Sequence, residues 1–285
     1  MHNSTSTAFL DYDMVSIAVL QHKRQRVDNM LIIHYLAPLW RTKGYRVTFY
    51  NGLDRPLEGD ILIPQIDLTI TPHSYVEAIE QFQGLVINPG IHDISKSKVS
   101  ANLVDASSDY EGEVFVKPNL NSNGYPELRL KSKWGKGIHL LKKSLGLVRK
   151  GYVVYPSVQD VPDYFKNSED FVIEKFLPHR EGEEYVTGLI TFLGDSHRAI
   201  ELRSKDAIIK SHTNYTRREV EAPSVVLEAI DRLKFDFGKF DYCFHDGELV
   251  LFDTNKTPGA AADKRISNLV AEKIGPGIEY YIKQL

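Results

Sequence analysis

Apolar positions in the first part of the chain follow two periods in turn. Met14 to Leu20 (MVSIAVL) is a short β-branched run of the kind that fills a buried strand. Leu31, Ile32, Tyr35, Leu36 and Leu39 then recur at helical spacing, with Asp28 placed to cap the helix and Gly44 to end it. Tyr45 to Tyr50 and Asp60 to Pro64 read as strands, Tyr75 to Phe82 as a helix, and Leu85 to Asn88 as a further strand. Such alternation favours parallel strands, because a parallel pair needs a crossover and a helix is the usual one. It predicts a small α/β lobe over residues 1–92.

From Glu113 strand-like runs follow one another directly. They are Val114 to Lys117, Phe171 to Phe176, Tyr185 to Phe192, Ala199 to Leu202, Gly238 to Phe244 and Glu248 to Phe252. Leu193-Gly194-Asp195 and Asp246-Gly247 are turn signals suited to antiparallel hairpins. Helices are predicted over Ser95 to Val104, over Pro223 to Leu233 and at the C-terminal end. No repeat or low-complexity linker intervenes. The expected fold class is α/β followed by α+β, with a second unit over residues 93–285.

Composition narrows the function classes. The 285 residues are 42% hydrophobic and 26% charged, with a formal net charge of −3, which gives no general attraction to nucleic acid or to an acidic membrane. The single cysteine, Cys243, excludes an internal disulfide and a Cys-clustered zinc site, and its place inside a predicted strand reads as packing. No run approaches the roughly 20 apolar residues of a membrane span, and the start lacks a signal-peptide pattern, so a cytoplasmic location is expected. Arg129 to Lys150 carries eight Lys or Arg and no acid, but only Trp134 and His139 interleave as stacking partners; a solvated face is favoured over a nucleic-acid patch. His92, His179, His197, His212 and His245 show no compact metal-ligand spacing.

Three segments carry chemistry. Lys239 to Gly259 (KFDYCFHDGELVLFDTNKTPG) is a predicted hairpin whose outer ends hold Asp241, Asp253 and Asn255, hard oxygen donors of the kind magnesium takes. A simple two-residue turn at Asp246-Gly247 would set Asp241 opposite Phe252 and send Asp253 to the other face. A shared metal therefore demands an odd-length connection or a bulge. Phe171 to Tyr185 (FVIEKFLPHREGEEY) is a strand, a crossing segment and an acid at the head of another strand. Val114 to Pro118 (VFVKP) ends in a lysine before an Asn-rich loop, Asn119 to Gly124.

These segments together resemble the ATP-grasp superfamily, of the D-alanine–D-alanine ligase and glutathione synthetase-like type, over roughly residues 93–265. The C-terminal hairpin of that family runs basic–x–Asp, then Glu–x–Asn–x–x–Pro–Gly, and Lys239, Asp241, Asp253, Asn255, Pro258 and Gly259 fall on those positions. Asp253 stands where Glu is usual and Lys239 where Arg is common. The resemblance implies an ATP-grasp fold after a parallel-sheet lobe, with nucleotide clamped between about 93–184 and 185–285. It implies ATP and magnesium, with manganese as a substitute, and Asp241, Asp253 and Asn255 as metal ligands. Glu174 and the backbone of Lys175 and Leu177 would meet adenine, and Glu184 the ribose, with Glu181 and Glu183 as alternatives. Lys117 and Lys96, or Lys98 in its place, would meet phosphate. Lys239 is expected to be catalytic, with Arg203, beside Arg217 and Arg218, holding the substrate carboxylate. The Asn119 to Gly124 loop is the expected lid. The implied activity is ligation: a small-molecule or peptide carboxylate is activated as an acylphosphate and taken by an amine. A kinase, a nucleotide-binding protein without activity and a ligase acting on a peptide with a leader segment are the alternatives. No nucleic-acid or membrane partner is expected, and a homodimer is compatible with the sequence.

Overall fold

The computed structural model describes residues 14–25, 30–105, 107–130, 152–209 and 213–285. The expected cap Asp28, most of the basic run with Trp134 and His139, and His212 lie outside the described residues. Four parallel strands open the chain: β1 (Ser16–Gln21), β2 (Arg46–Asn51), β3 (Ile61–Pro64) and β4 (Leu85–Val86), in the order β2-β1-β3-β4. Helices α1 (Ile33–Thr42) and α2 (His73–Glu80) lie between them in sequence. The apolar run of β1 serves two cores at once, as a parallel strand covered on both faces must. Ile17 and Val19 pack with Leu36 and Trp40 of α1, while Ala18 and Leu20 pack with Tyr75 and Ile79 of α2.

The predicted helix from Ser95 to Val104 is a single turn, α3 (Lys96–Val99). The chain then extends along the open edge of a strand, with the Val104 N–H donating to Ile173 O at 2.9 Å and Asn102 O accepting from the Lys175 N–H at 2.9 Å. Those ladder bonds replace the helical ones that residues 102–104 would have made. The sheet whose edge is used is antiparallel, in the order β6 (Val153–Tyr155), β5 (Val114–Pro118), β7 (Phe171–Lys175). Short helices α4 (Tyr125–Leu130) and α5 (Asp163–Lys166) occur in its connections.

The remaining strands form a larger antiparallel sheet: β8 (His179–Glu181), β9 (Glu184–Leu193), β10 (Ser196–Ser204), β11 (Thr216–Val220), β12 (Phe237–His245) and β13 (Glu248–Asn255). Their order is β11-β10-β9-β12-β13, with β8 also on β9. One face buries Ile190, Phe192, Phe240 and Tyr242 against Val226 and Ile230 of α6 (Ser224–Arg232). On the other face, Leu193 and Phe237 join α1 and the last helices, α7 (Lys264–Ile274) and α8 (Ile278–Ile282), in one apolar cluster. The first lobe thus shares its core with the C-terminal helices, and Trp40 Nε1 donates to Gly275 O at 2.9 Å inside it. No helix among the described residues is long and apolar enough to cross a membrane.

Gly277 marks how closely these parts meet: a Cβ there would lie 1.7 Å from Leu193 O. Gly277→Ala should therefore lower unfolding free energy by about 1–3 kcal/mol, as overpacking does. Gly90, where a Cβ meets nothing within 4 Å, is the control; Gly90→Ala should stay within about 0.5 kcal/mol of wild type. Urea denaturation midpoints check both.

Candidate active site

The β12–β13 hairpin turns through Asp246 (φ 50°) and Gly247 (φ 84°), the pair of positive φ values that a two-residue type I′ turn requires. From His245↔Glu248 the register runs without offset to Tyr242↔Leu251, then shifts so that Asp241 pairs with Asp253 and Lys239 with Asn255. Phe252 is the extra residue. This is the bulge that a shared face for Asp241 and Asp253 demands.

The inner face of β9, β10, β12 and β13 looks across a cavity of about 550 Å³ at the β5–β7 sheet and the segment after β7. Lys117, Phe115, Lys175, Phe176, Leu177 and Pro178 line one wall; Leu189, Lys239, Asp241, Phe252 and Asp253 line the other. Lys96, Tyr152, Ala207 to Ile209 and Tyr215 also line it. Lys239 Nζ lies 3.1 Å from Asp241 Oδ2, and Lys96 Nζ 3.5 Å from Asp253 Oδ1. Burial, with the Asp253 charge added to it, pushes the Asp241 carboxyl up against the pull of Lys239. Burial also works against the Lys239 ammonium, but Asp241 and Asp253 outweigh it and hold its pKa above the ordinary lysine value.

Of the two candidate lysines in α3, Lys96 lines the cavity at 4% exposure and Lys98 is exposed to solvent. The asparagines of the following loop explain the difference. Asn121 Oδ1 accepts from Lys96 Nζ at 2.9 Å, and Asn119 accepts from the N–H groups of Lys96 and Ser97 at the start of α3. Asn121 is itself buried and donates to Thr254 O, so this end of the expected lid is fixed. Ser122 and Asn123 line the cavity with φ 50° and 56°, a left-handed conformation that asparagine tolerates better than most residues.

Four expected contact residues stand apart from the cavity lining. Glu174 is buried beside Lys117, with Oε2 2.5 Å from its Nζ, and is not part of the cavity lining. Glu184 sits at the head of β9 opposite Glu181, and neither they nor Glu183 line the cavity. Asn255 Oδ1 accepts from the Thr257 N–H at 2.9 Å. Arg203 follows Leu202, which faces the cavity, so strand alternation turns Arg203 away. It pairs with Glu201 and Glu181, and Arg218 shares Glu201.

Sequence reasoning missed Tyr152 and Lys256. Tyr152 has φ 71° and its hydroxyl is pushed up to about 12 by burial, then by Asp253 and Glu174. Only the fold brings it beside Phe115, at 5.9 Å between ring centres. Lys256 is 4% exposed and donates to Thr71 Oγ1 at 2.7 Å and His92 O at 2.9 Å, tying the end of the hairpin to the first lobe. Its position next to Asn255 was the available signal, since alternation directs it to the opposite side.

Asp241, Asp253 and Asn255 fit a hard dication by donor chemistry, and Asp241 Oδ1 is buried without a hydrogen-bond partner among the described residues. Lys96, Lys117 and Lys239 bring ammonium groups to the same cavity.

No family model matches the sequence, and no curated protein matches it. Solved structures do match the fold. A RiPP-associated ATP-grasp ligase from Chryseobacterium gregarium, in complex with ADP and a leader and core peptide, covers 95% of this chain and 98% of its own at 12% identity and a TM-score of 0.52. D-alanine–D-alanine ligase from Bacillus anthracis covers 95% and 96% at 11% identity and a TM-score of 0.49. The macrocyclase MdnC from Microcystis aeruginosa, bound with precursor peptide MdnA, covers 93% and 99% at 10% identity and a TM-score of 0.46. The chain has the ATP-grasp fold.

Two stability measurements test the electrostatics. Lys117→Met leaves Glu174 buried without its cation and should cost about 3–5 kcal/mol in urea denaturation, most of it recovered when Glu174→Leu is added. Burial lowers the Lys256 pKa from 10.5 to about 8. Between those values the unfolded chain holds a proton that the folded chain lacks, so this lysine's contribution to stability rises with pH. Relative to Lys256→Met, wild type should gain about 1.4 kcal/mol per pH unit across that window; a constant difference would contradict it.

Proposed function

We propose that this chain is an ATP- and magnesium-dependent ligase that activates a substrate carboxylate as an acylphosphate for attack by an amine. The observation that carries the proposal is the meeting of Lys96, Lys117 and Lys239 with Asp241 and Asp253 in one cavity between two antiparallel sheets of an ATP-grasp fold. Three ammonium groups suit a polyphosphate, and a pair of opposed carboxylates suits the metal that accompanies it.

Phe115, Phe176 and Leu177 on one wall and Leu189 on the other offer apolar surface for the base. Lys117, held by Glu174, and Lys96, held by Asn121, carry charge on the phosphates. Asp241 and Asp253 in the cavity wall would hold magnesium, with Asn255, two positions along the same face of β13, as a third oxygen donor beside the lining; the ion would neutralise phosphate charge. Lys239 lies beside both acids and can offset the repulsion between the attacking carboxylate and the γ-phosphate. A carboxylate oxygen attacks the γ-phosphorus, and the bond to the bridging oxygen of ADP breaks. The amine nitrogen then attacks the acyl carbon, phosphate leaves with the electrons of its C–O bond, and the nitrogen gives up a proton. No protein nucleophile enters this sequence, and burial pushes the Cys243 thiol up to about 12. Arg203 and Glu184 have no contact role in it.

The test is ADP release with pooled carboxylic acids, with and without pooled amines, and with hydroxylamine to capture an acylphosphate as a hydroxamate. Acid-dependent ADP release and hydroxamate are expected, with Asp241→Asn reducing both by about 100-fold or more. A phosphorylated hydroxyl product without hydroxamate would instead identify a kinase. Unchanged activity in Asp241→Asn would refute the site.

A further inference from the structure

Both acids of the cavity are already held by lysines, and the lysines come from separate elements. Lys239 reaches Asp241 along β12, while Lys96 reaches Asp253 from α3, where Asn121 fixes it. The distances are 3.1 Å and 3.5 Å, and the Lys96 side chain is 4% exposed. Asp241 and Asp253 are direct cross-strand partners, so each ammonium also offsets the repulsion between the two carboxylates. Two ammonium groups and two carboxylates make a neutral set in a partly buried place, where screening by salt is weak.

We propose that Lys96 and Lys239 are tethered counter-ions of this acid pair, so that the cavity disfavours a bare divalent cation and a bare nucleotide and takes the two together. This rests on the nucleotide-and-metal reading of the site given above. A bare dication must displace two ammonium groups that cannot leave, because their chains anchor them in the cavity wall. A bare polyphosphate draws the lysines off and leaves two carboxylates facing each other and the phosphate oxygens. When cation and polyphosphate enter together the partners exchange: ammonium groups go to phosphate and carboxylates to the cation. No charge is then left without a partner. Linkage makes the effect reciprocal, so the cation raises nucleotide affinity by the factor by which nucleotide raises cation affinity.

Manganese, counted as free ion by electron paramagnetic resonance, and ADP are the probes, with the full chain at about pH 8. Lys239→Met removes the ammonium and keeps the bulk of its stem. It should bind manganese alone about tenfold or more tightly than wild type, while its affinity for ADP alone does not rise. Lys239→Arg keeps the charge and should match wild type for manganese alone. Adding Asp241→Asn to Lys239→Met should remove the gain. The proposal is overturned if Lys239→Met binds manganese alone no better than wild type, or if the gain survives Asp241→Asn. Lys96→Met repeats the comparison at Asp253 should Lys239→Met fail to give a cooperative melt. Wild type that binds neither ADP nor its manganese complex would defeat the ligase reading itself, whereas binding of both with unaltered lysine variants would defeat only the coupling.

Discussion

Asp241 and Asp253 face each other across one pair of strands, an arrangement that electrostatics opposes and that a single inserted residue creates. Phe252 is that residue: with it β13 is one position longer than β12 between the turn and the acids, and the alternation of side chains restarts in phase. Without the bulge, Asp253 would enter the apolar face with Phe240 and Tyr242, where a carboxylate has no compensation. With it, the two carboxylates share a face, and their repulsion calls for cations. Lys239 and Lys96 answer it directly, and Asn121 and Asn119 hold Lys96 and its helix in place.

The same pattern of a charge held by a partner from elsewhere recurs around the cavity. Lys117 on β5, in the cavity wall, is paired with the buried Glu174 on β7. Lys256 anchors the far end of the hairpin to Thr71 and His92 of the first lobe. The first lobe in turn is joined to the large sheet through Trp40, Leu193, Phe237 and the C-terminal helices. Packing of the lobe therefore bears on the position of the acids, because the strand that carries them ends against it.

Most strands follow from their alternation in the sequence, but β6, β8 and β11 do not: they are three to five residues long, and β8 and β11 are largely polar, so no apolar period marks them. The hairpin with Asp241 and Asp253 and the strand ending in Lys117 are local patterns, whereas their meeting in one cavity is a property of the fold. The helix predicted over Ser95 to Val104 stops after one turn because residues 102–104 fill a vacant sheet edge, about which helix propensity says nothing. The pairing of Glu174 with Lys117 joins two strands far apart in sequence, so no local pattern signals it. Arg203 lies between two motifs in sequence, but one position along a strand reverses the face.

The sequence by itself determined the fold class, most of the strands, the turn at Asp246-Gly247 and the condition that only an offset hairpin could bring its acids together. These follow from local properties: periodicity of two, positive φ at the turn, and the spacing of charged groups along one strand pair. Tertiary structure alone decided that the offset occurs at Phe252, that Lys96 and not Lys98 meets Asp253, and that Glu174 pairs with Lys117. Those outcomes depend on desolvation and on pairing between groups distant in the chain. Whether a charge is partnered, exposed or stranded is a property of the packed sheets, and no local pattern encodes it.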